Sequence, residues 1–169
     1  MSFRDYICVK AKLMKTAILY ASTHGTSEKA AQLLSDKIGN CDLINLRKIK
    51  KVDLNDYSKL IIGGSIHMGK MQQRVRSFIE KYQAEIIDKK FALFMCCMDE
   101  KQEENQLKSA FPADLQAKAV MVTGIGGEFL FDKMNFLERA MVKKISGSNE
   151  SVHRLYMDKI EALADAMKQ

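Results

Sequence analysis

The chain has 169 residues, 47% of them hydrophobic, with a single proline and a formal charge of +6. That is material for one domain with a sizeable core, and no Pro-rich linker divides it. No apolar run approaches the ~18 residues of a membrane span, the three histidines and four cysteines match no common zinc spacing, and the aromatic-basic interleaving used on single-stranded nucleic acid is absent. The expectation is a cytoplasmic protein with reduced thiols, with no bound metal and no nucleic-acid partner.

Residues 1–13 show neither the apolar block nor the small-residue cleavage site of a secretory signal, so the expected domain is 14–169 behind a dispensable leader. From Lys15, near-continuous apolar runs alternate with amphipathic ones, the pattern of a parallel sheet covered on both faces. The expected strands are 15–20, 42–46, 59–64, 90–98 and 117–124, each buried on both sides. A helix over 26–38 presents Ala30, Ala31, Leu33, Leu34 and Ile38, and a second over 72–87 presents Val75, Phe78, Ile79, Tyr82 and Ile86. The crossover 47–58 is too short and polar for more than a trace of helix. A short helix over 107–115 is interrupted by Pro112, and a terminal helix spans 151–167 with Val152, Leu155, Tyr156, Ile160, Leu163, Ala164 and Met167 inward.

Such a sheet binds its ligand outside the carboxyl ends of the strands, where strand order reverses. After the first strand comes Ala21-Ser22-Thr23-His24-Gly25-Thr26-Ser27, opening a helix. Hydroxyls at Ser22, Thr23, Thr26 and Ser27, a glycine that lets the backbone turn close, and the orphan N–H groups of the helix make a phosphate cradle. With no countercharge in the segment, a phosphomonoester fits better than a triphosphate on Mg²⁺. After the third strand comes Gly63-Gly64-Ser65-Ile66-His67-Met68-Gly69-Lys70, a loop with glycines at each end and His67 and Met68 in the middle, suited to closing over a planar ring. After the fourth comes Cys96-Cys97-Met98-Asp99.

Competing motifs fail on their letters. Gly64 to Lys70 spells the first part of a P-loop, but position 71 is Met where Ser or Thr must reach the metal. Gly124-Ile125-Gly126-Gly127 begins a dinucleotide fingerprint, but Phe129 stands at the third glycine and the segment follows the last strand. Ser22 and Ser65 lack the G-x-S-x-G elbow of a hydrolase.

The segments Ile18 to Glu28 and Asp56 to Gly69 resemble the two signature segments of the flavodoxin family, a likeness that extends over nearly all of 14–169. The segment Gly63 to Gly69 and the late Ala140-Met-Val-Lys-Lys-Ile-Ser-Gly147 further resemble the menaquinone-dependent protoporphyrinogen oxidases of that fold, although His67-Met68 replaces their Arg-Tyr pair and Asp99, Glu100, Glu103 and Glu104 make the fourth loop acidic where theirs is basic. The resemblance implies a flavodoxin-like three-layer sandwich, strand order 2-1-3-4-5, and a non-covalently bound flavin mononucleotide (FMN). Ser22, Thr23, His24 (through its backbone), Gly25, Thr26 and Ser27 would hold the phosphate. Gly64, Ser65, Ile66, His67, Met68 and Gly69 would contact the ring, with Cys96, Cys97, Met98 and Asp99 on its other side, and no acid-base residue is demanded. The activity is then electron transfer or a small flavin oxidoreductase, with a redox partner protein or a quinone. Porphyrinogen dehydrogenation and a flavin-free interaction module stay open beside it, since fold does not fix function. The stretch 128–146, rich in Phe, Leu and Met among Lys133, Arg139, Lys143 and Lys144, reads as an amphipathic basic helix able to touch a membrane surface.

Overall fold

The computed structural model describes residues 15–49, 51–99, 101–129, 136, 139–140 and 152–169. Five parallel strands form the centre: β1 (Thr16–Ala21), β2 (Cys41–Asn45), β3 (Lys59–His67), β5 (Lys90–Cys96) and β6 (Met121–Gly124), in the order β2-β1-β3-β5-β6. Counting only the parallel strands, this is the expected order 2-1-3-4-5. The reversal lies between β1 and β3, whose register runs from Thr16 opposite Lys59 to Ala21 opposite Gly64. Three further strands lie outside that pattern. β4 (Lys70–Met71) folds back antiparallel on the end of β3, and β7 (Gly126–Phe129) pairs antiparallel with β8 (Val152–Leu155) as a separate two-stranded sheet.

Successive strand residues point to opposite faces, and the two cores divide accordingly. Leu19, Leu60, Ile62, Leu93 and Met95 face α2 (Gln73–Ile87) through Val75, Phe78, Ile79, Tyr82 and Ile86. Ile18, Ile61 and Phe94 face α1 (Thr26–Ile38) and α5 (Met157–Lys168) through Leu34, Ile160, Leu163 and Met167. α1 carries Glu28 in its first turn and Lys37 in its last, matching the helix dipole, and ends where Gly39 (φ 71) and Asn40 (φ 45) turn left-handed. Gly63 is required for space: a β-carbon there would collide with the ring and carbonyl of Phe94.

Several boundaries differ from expectation. The fifth parallel strand begins at Met121 rather than 117, because 113–118 forms α4 (Ala113–Lys118), with Pro112 at the N-cap separating it from α3 (Glu103–Ala110). The terminal helix begins at Met157, not 151: Val152–Leu155 is drawn into pairing with β7, although its apolar spacing also fits a helix. β2 is half exposed at every position, being an edge strand rather than one buried on both sides. In the crossover 47–58 a single 3₁₀ turn, Leu54–Asp56, is formed. The leader and most of 128–146 lie outside the described residues. Among the described residues no helix is long and apolar enough to cross a membrane.

Candidate functional site

β1 delivers Ser22–Gly25 to the carboxyl edge of the sheet, and α1 starts at Thr26 with Gly25 as its N-cap at φ 103, in the left-handed region glycine favours. No side chain caps the helix, so its first N–H groups point outward along the axis. The loop is braced by the Gly25 N–H, which donates to Ser22 Oγ at 3.0 Å. The four hydroxyls do not all face the same way. Thr23 is exposed, whereas Thr26 Oγ1 donates inward to the Glu128 carbonyl (3.5 Å) and the fully buried Ser27 Oγ lies 2.7 Å from Ser65 Oγ. The Thr26 and Ser27 hydroxyls are thus engaged within the fold. A countercharge that the loop's own letters lack is supplied from the next crossover: Arg47 Nη1 donates to the Ser22 carbonyl at 3.0 Å, setting the guanidinium beside the cradle.

The second loop is a tight hairpin instead of a mobile flap. β3 continues through His67, and Met68 (φ 50) and Gly69 (φ 76) form a two-residue turn back into Lys70, both in the left-handed conformation such a turn requires. Met68 stands 85% exposed at its tip. The His67 and His24 rings lie 6.0 Å apart at 35°, bringing hairpin and cradle together. Gln72, N-cap residue of α2, bridges the same two loops: Oε1 accepts from the Ser65 N–H (3.2 Å), while Nε2 reaches Thr23 Oγ1 (2.9 Å) and His67 Nε2 (3.3 Å).

The third predicted segment divides between core and rim. Cys96 is buried beneath the cradle, its thiol 3.7 Å from Ser27 Oγ, and burial pushes its pKa up to about 12. Such a thiol is a packing group rather than a nucleophile. Cys97 is buried with its Sγ 2.6 Å from Gln106 Oε1, and burial raises its pKa as well. Met98 and Asp99 are half-buried, and the Met98 side chain lies against Gly127 of β7. That hairpin is anchored by the Cys97 N–H to the Gly126 carbonyl (2.8 Å) and by Glu128, whose Oε1 meets Lys29 Nζ at 2.6 Å and His153 Nδ1 at 2.8 Å. Burial alone would raise the Glu128 pKa; the bonds from Lys29 and His153 outweigh it and hold the carboxyl below its ordinary value.

The predicted residues after β1 and β3 therefore converge, and those after β5 flank them through Cys96. Arg47, Gln72, Glu128 and His153 join the site without belonging to any of its sequence motifs. In the sequence Arg47 only opens the polar crossover 47–58, and Gln72 only begins the expected helix over 72–87. No group of three or more His, Cys, Asp or Glu among the described residues is placed to hold a metal ion.

The profile of the flavodoxin domain family matches residues 17–154. The chain belongs to the flavodoxin domain family. Over 154 residues it is 21% identical to the protoporphyrinogen IX dehydrogenase [quinone] of Escherichia coli, covering 83% of this chain and 85% of that protein. A 69-residue stretch, 40% of this chain, is 32% identical to an uncharacterized protein of Methanocaldococcus jannaschii and covers 45% of it. Among solved structures, the flavodoxin domain is similar to rubredoxin oxygen:oxidoreductase of Desulfovibrio gigas (TM-score 0.59, 14% identity), covering 98% of this chain and spanning 38% of that one. It is also similar to a short-chain flavodoxin associated with a bacterial microcompartment (TM-score 0.56, 13% identity, 92% of this chain and 97% of that one). At these identities the structural likenesses show the fold.

Proposed function

We propose that the chain binds FMN non-covalently at the carboxyl ends of β1, β3 and β5 and transfers electrons through it. The observation that carries this reading is the meeting of an uncapped helix N-terminus, flanked by Arg47, with a hairpin that presents His67 and Met68. Outward N–H groups, the Thr23 hydroxyl and a nearby guanidinium suit the oxygens of a phosphomonoester. A tight hairpin with a polarizable tip suits the edge and face of a planar ring. Family membership supports the cofactor. When bound, the flavin supplies the redox chemistry; the chain's residues hold it, exclude water from its inner face and set the polarity around it.

Titration of flavin-free protein with FMN, followed by flavin fluorescence, tests the reading. One equivalent should bind, and riboflavin, which lacks the phosphate, should bind more weakly. Thr23→Val should cost ~1.5 to 3 kcal/mol of FMN affinity if its hydroxyl donates to the phosphate. No uptake of FMN, or recovery of the adenine dinucleotide as the main pigment, would overturn it.

A second reading, quinone-linked oxidation of protoporphyrinogen, is favoured by the 21% identity with the Escherichia coli dehydrogenase across most of both chains. Against it stands the acidic character of the segment after β5, where Glu103 pairs with Lys159, Glu104 pairs with Lys108, and Asp99 adds a further negative charge, so that no basic loop is offered there to a porphyrin's carboxylates. Turnover of protoporphyrinogen with a menaquinone analogue would decide for the dehydrogenase. Its absence in a protein whose flavin still cycles with a one-electron donor would leave electron carriage. Salt-sensitive sedimentation with anionic vesicles would add peripheral membrane contact to either reading.

A further inference from the structure

We infer that Gln72 couples the two halves of the site, so that an anion seated on the cradle fixes the position of His67. This inference rests on the FMN reading for its purpose, although its geometry stands without it.

Gln72 is held from both sides before its side chain is considered. Its N–H donates to the Ser65 carbonyl (3.3 Å), and its own carbonyl accepts from Val75 (3.0 Å) and Arg76 (3.2 Å) in the first turn of α2. The carboxamide is then oriented by one unambiguous partner. The Ser65 N–H can only donate, so the atom facing it at 3.2 Å must be Oε1, and Nε2 must face Thr23 and His67. Two proton positions follow. Thr23 Oγ1 accepts from Gln72, which leaves the Thr23 O–H to donate to whatever occupies the cradle. His67 Nε2 also accepts from Gln72, which places the proton of the neutral imidazole on Nδ1.

A directed chain thus runs from cradle to hairpin: the Thr23 hydroxyl donates toward the anion, and the Gln72 amide donates to Thr23 on one side and to His67 on the other. An anion accepting from Thr23 polarises that hydroxyl and strengthens the bond Gln72 makes to it. The same amide fixes the tautomer and tilt of His67, whose ring faces His24 of the cradle at 6.0 Å. Gln72 is a positioning residue: it reaches the ring through His67 and the phosphate through Thr23.

The test uses the full chain, flavin-free, with inorganic phosphate as the anion, and reads the imidazole NMR signals. Only three histidines are present, and His67→Gln identifies the signal of interest. Phosphate should shift the His67 signal in the parent chain and leave it unmoved in Gln72→Met, whose near-isosteric apolar side chain keeps the volume and removes the bonds. FMN affinity should fall about tenfold in Gln72→Met, which removes the side-chain bonds to Ser65, Thr23 and His67. Thr23→Val should cost distinctly less affinity in the Gln72→Met background than in the parent chain, because the two residues act through one bond. Gln72→Leu, which removes the same bonds without adding charge beside the anion, should behave like Gln72→Met, and it provides the measurement if Gln72→Met fails to fold. Additive losses, or a His67 signal that phosphate moves equally in variant and parent, would overturn the coupling while leaving FMN binding intact. A parent chain that takes up no FMN would overturn the reading above, and the phosphate response alone would then decide the coupling.

Discussion

In the parallel sheet, Ile18, Leu19, Ile61, Ile62, Leu93 and Phe94 are withdrawn from solvent completely, and α1, α2 and α5 close over them with aliphatic and aromatic faces. The β7–β8 hairpin beside the cradle is held differently. Its Glu128 is buried, yet it is fixed by Lys29 and His153, by the Thr26 hydroxyl on its carbonyl, and by main-chain bonds at Cys97 and Tyr156. Apolar burial is indifferent to protonation, whereas a carboxylate clamp loses its attraction when the carboxyl is neutralised. The scaffold and one wall of the site are therefore stabilised by forces that acid and salt affect unequally.

The largest effect should come from the scaffold. Phe94 is fully buried and its ring covers the bare backbone of Gly63, so Phe94→Ala leaves a cavity beside β3 on the face that α1 and α5 cover. A loss of ~3 to 5 kcal/mol is expected from the urea midpoint. Exchange of the hairpin amides should quicken together with those of the sheet, since Lys29, Cys97 and Tyr156, which anchor the hairpin, sit on elements that the sheet carries. A loss below ~1 kcal/mol would show that the helices collapse into the space and that the core is less tightly specified than its burial implies.

A smaller and more selective effect should follow from Glu128→Gln, which keeps the shape and weakens both charged bonds. We expect ~1 to 2 kcal/mol at neutral pH, discounted because Lys29 and His153 are more than half exposed at their side chains. The sign of the pH dependence follows from the depressed carboxyl. Because the folded pKa lies below the ordinary 4.5, the stabilisation is fully present above that value and is lost as pH falls through the folded pKa. Acidification should therefore narrow the gap between the parent chain and Glu128→Gln, with the hairpin amides, not those of β1 or β3, accounting for the change. A gap that is constant from pH 7 down to pH 3 would mean that the carboxylate charge contributes nothing.

The contrast also explains what could be read from the letters. Runs such as Lys59–Gly64 and faces such as Ala30, Ala31 and Leu34 carry their periodicity within one segment, so strand, helix and layer follow from local pattern, and the cradle after β1 follows from the topology. Val152–Leu155 carries no such information: its spacing satisfies a helix, and its strand is decided by the edge of β7, more than twenty residues earlier in the chain. Met68-Gly69 is a hairpin turn without the usual Asn-Gly signal, so the expected loop is in fact β3 continuing into β4. Arg47, Gln72 and Glu128 acquire meaning only from neighbours distant in sequence, Ser22, Thr23 and Lys29 respectively. Polar clamps are long-range pairings of common residues, and a single sequence does not display them.

The smallest effect expected sharpens the comparison from the other side. Among the described residues, the buried side-chain oxygen or nitrogen without a hydrogen-bond partner is the Tyr82 hydroxyl, in the apolar face of α2 and not in the hairpin. The ring itself is well placed: it packs on Phe78 with centroids 4.9 Å apart and lies beneath Lys81 Nζ at 5.1 Å. Its backbone leaves helical geometry (φ −115, ψ 15), bending α2 at this residue. Tyr82→Phe keeps every ring contact and removes a hydroxyl whose desolvation is not repaid, a change that is neutral to stabilising when no partner is orphaned. We expect a gain of up to ~1 kcal/mol, or about 2 to 4 °C in Tm for a chain of this size, with FMN affinity unchanged because Tyr82 is far along the helix from Gln72. A loss of ~1 kcal/mol or more would mean that the hydroxyl is hydrogen-bonded in solution, so that the sheet, like the hairpin, depends on a satisfied buried polar group.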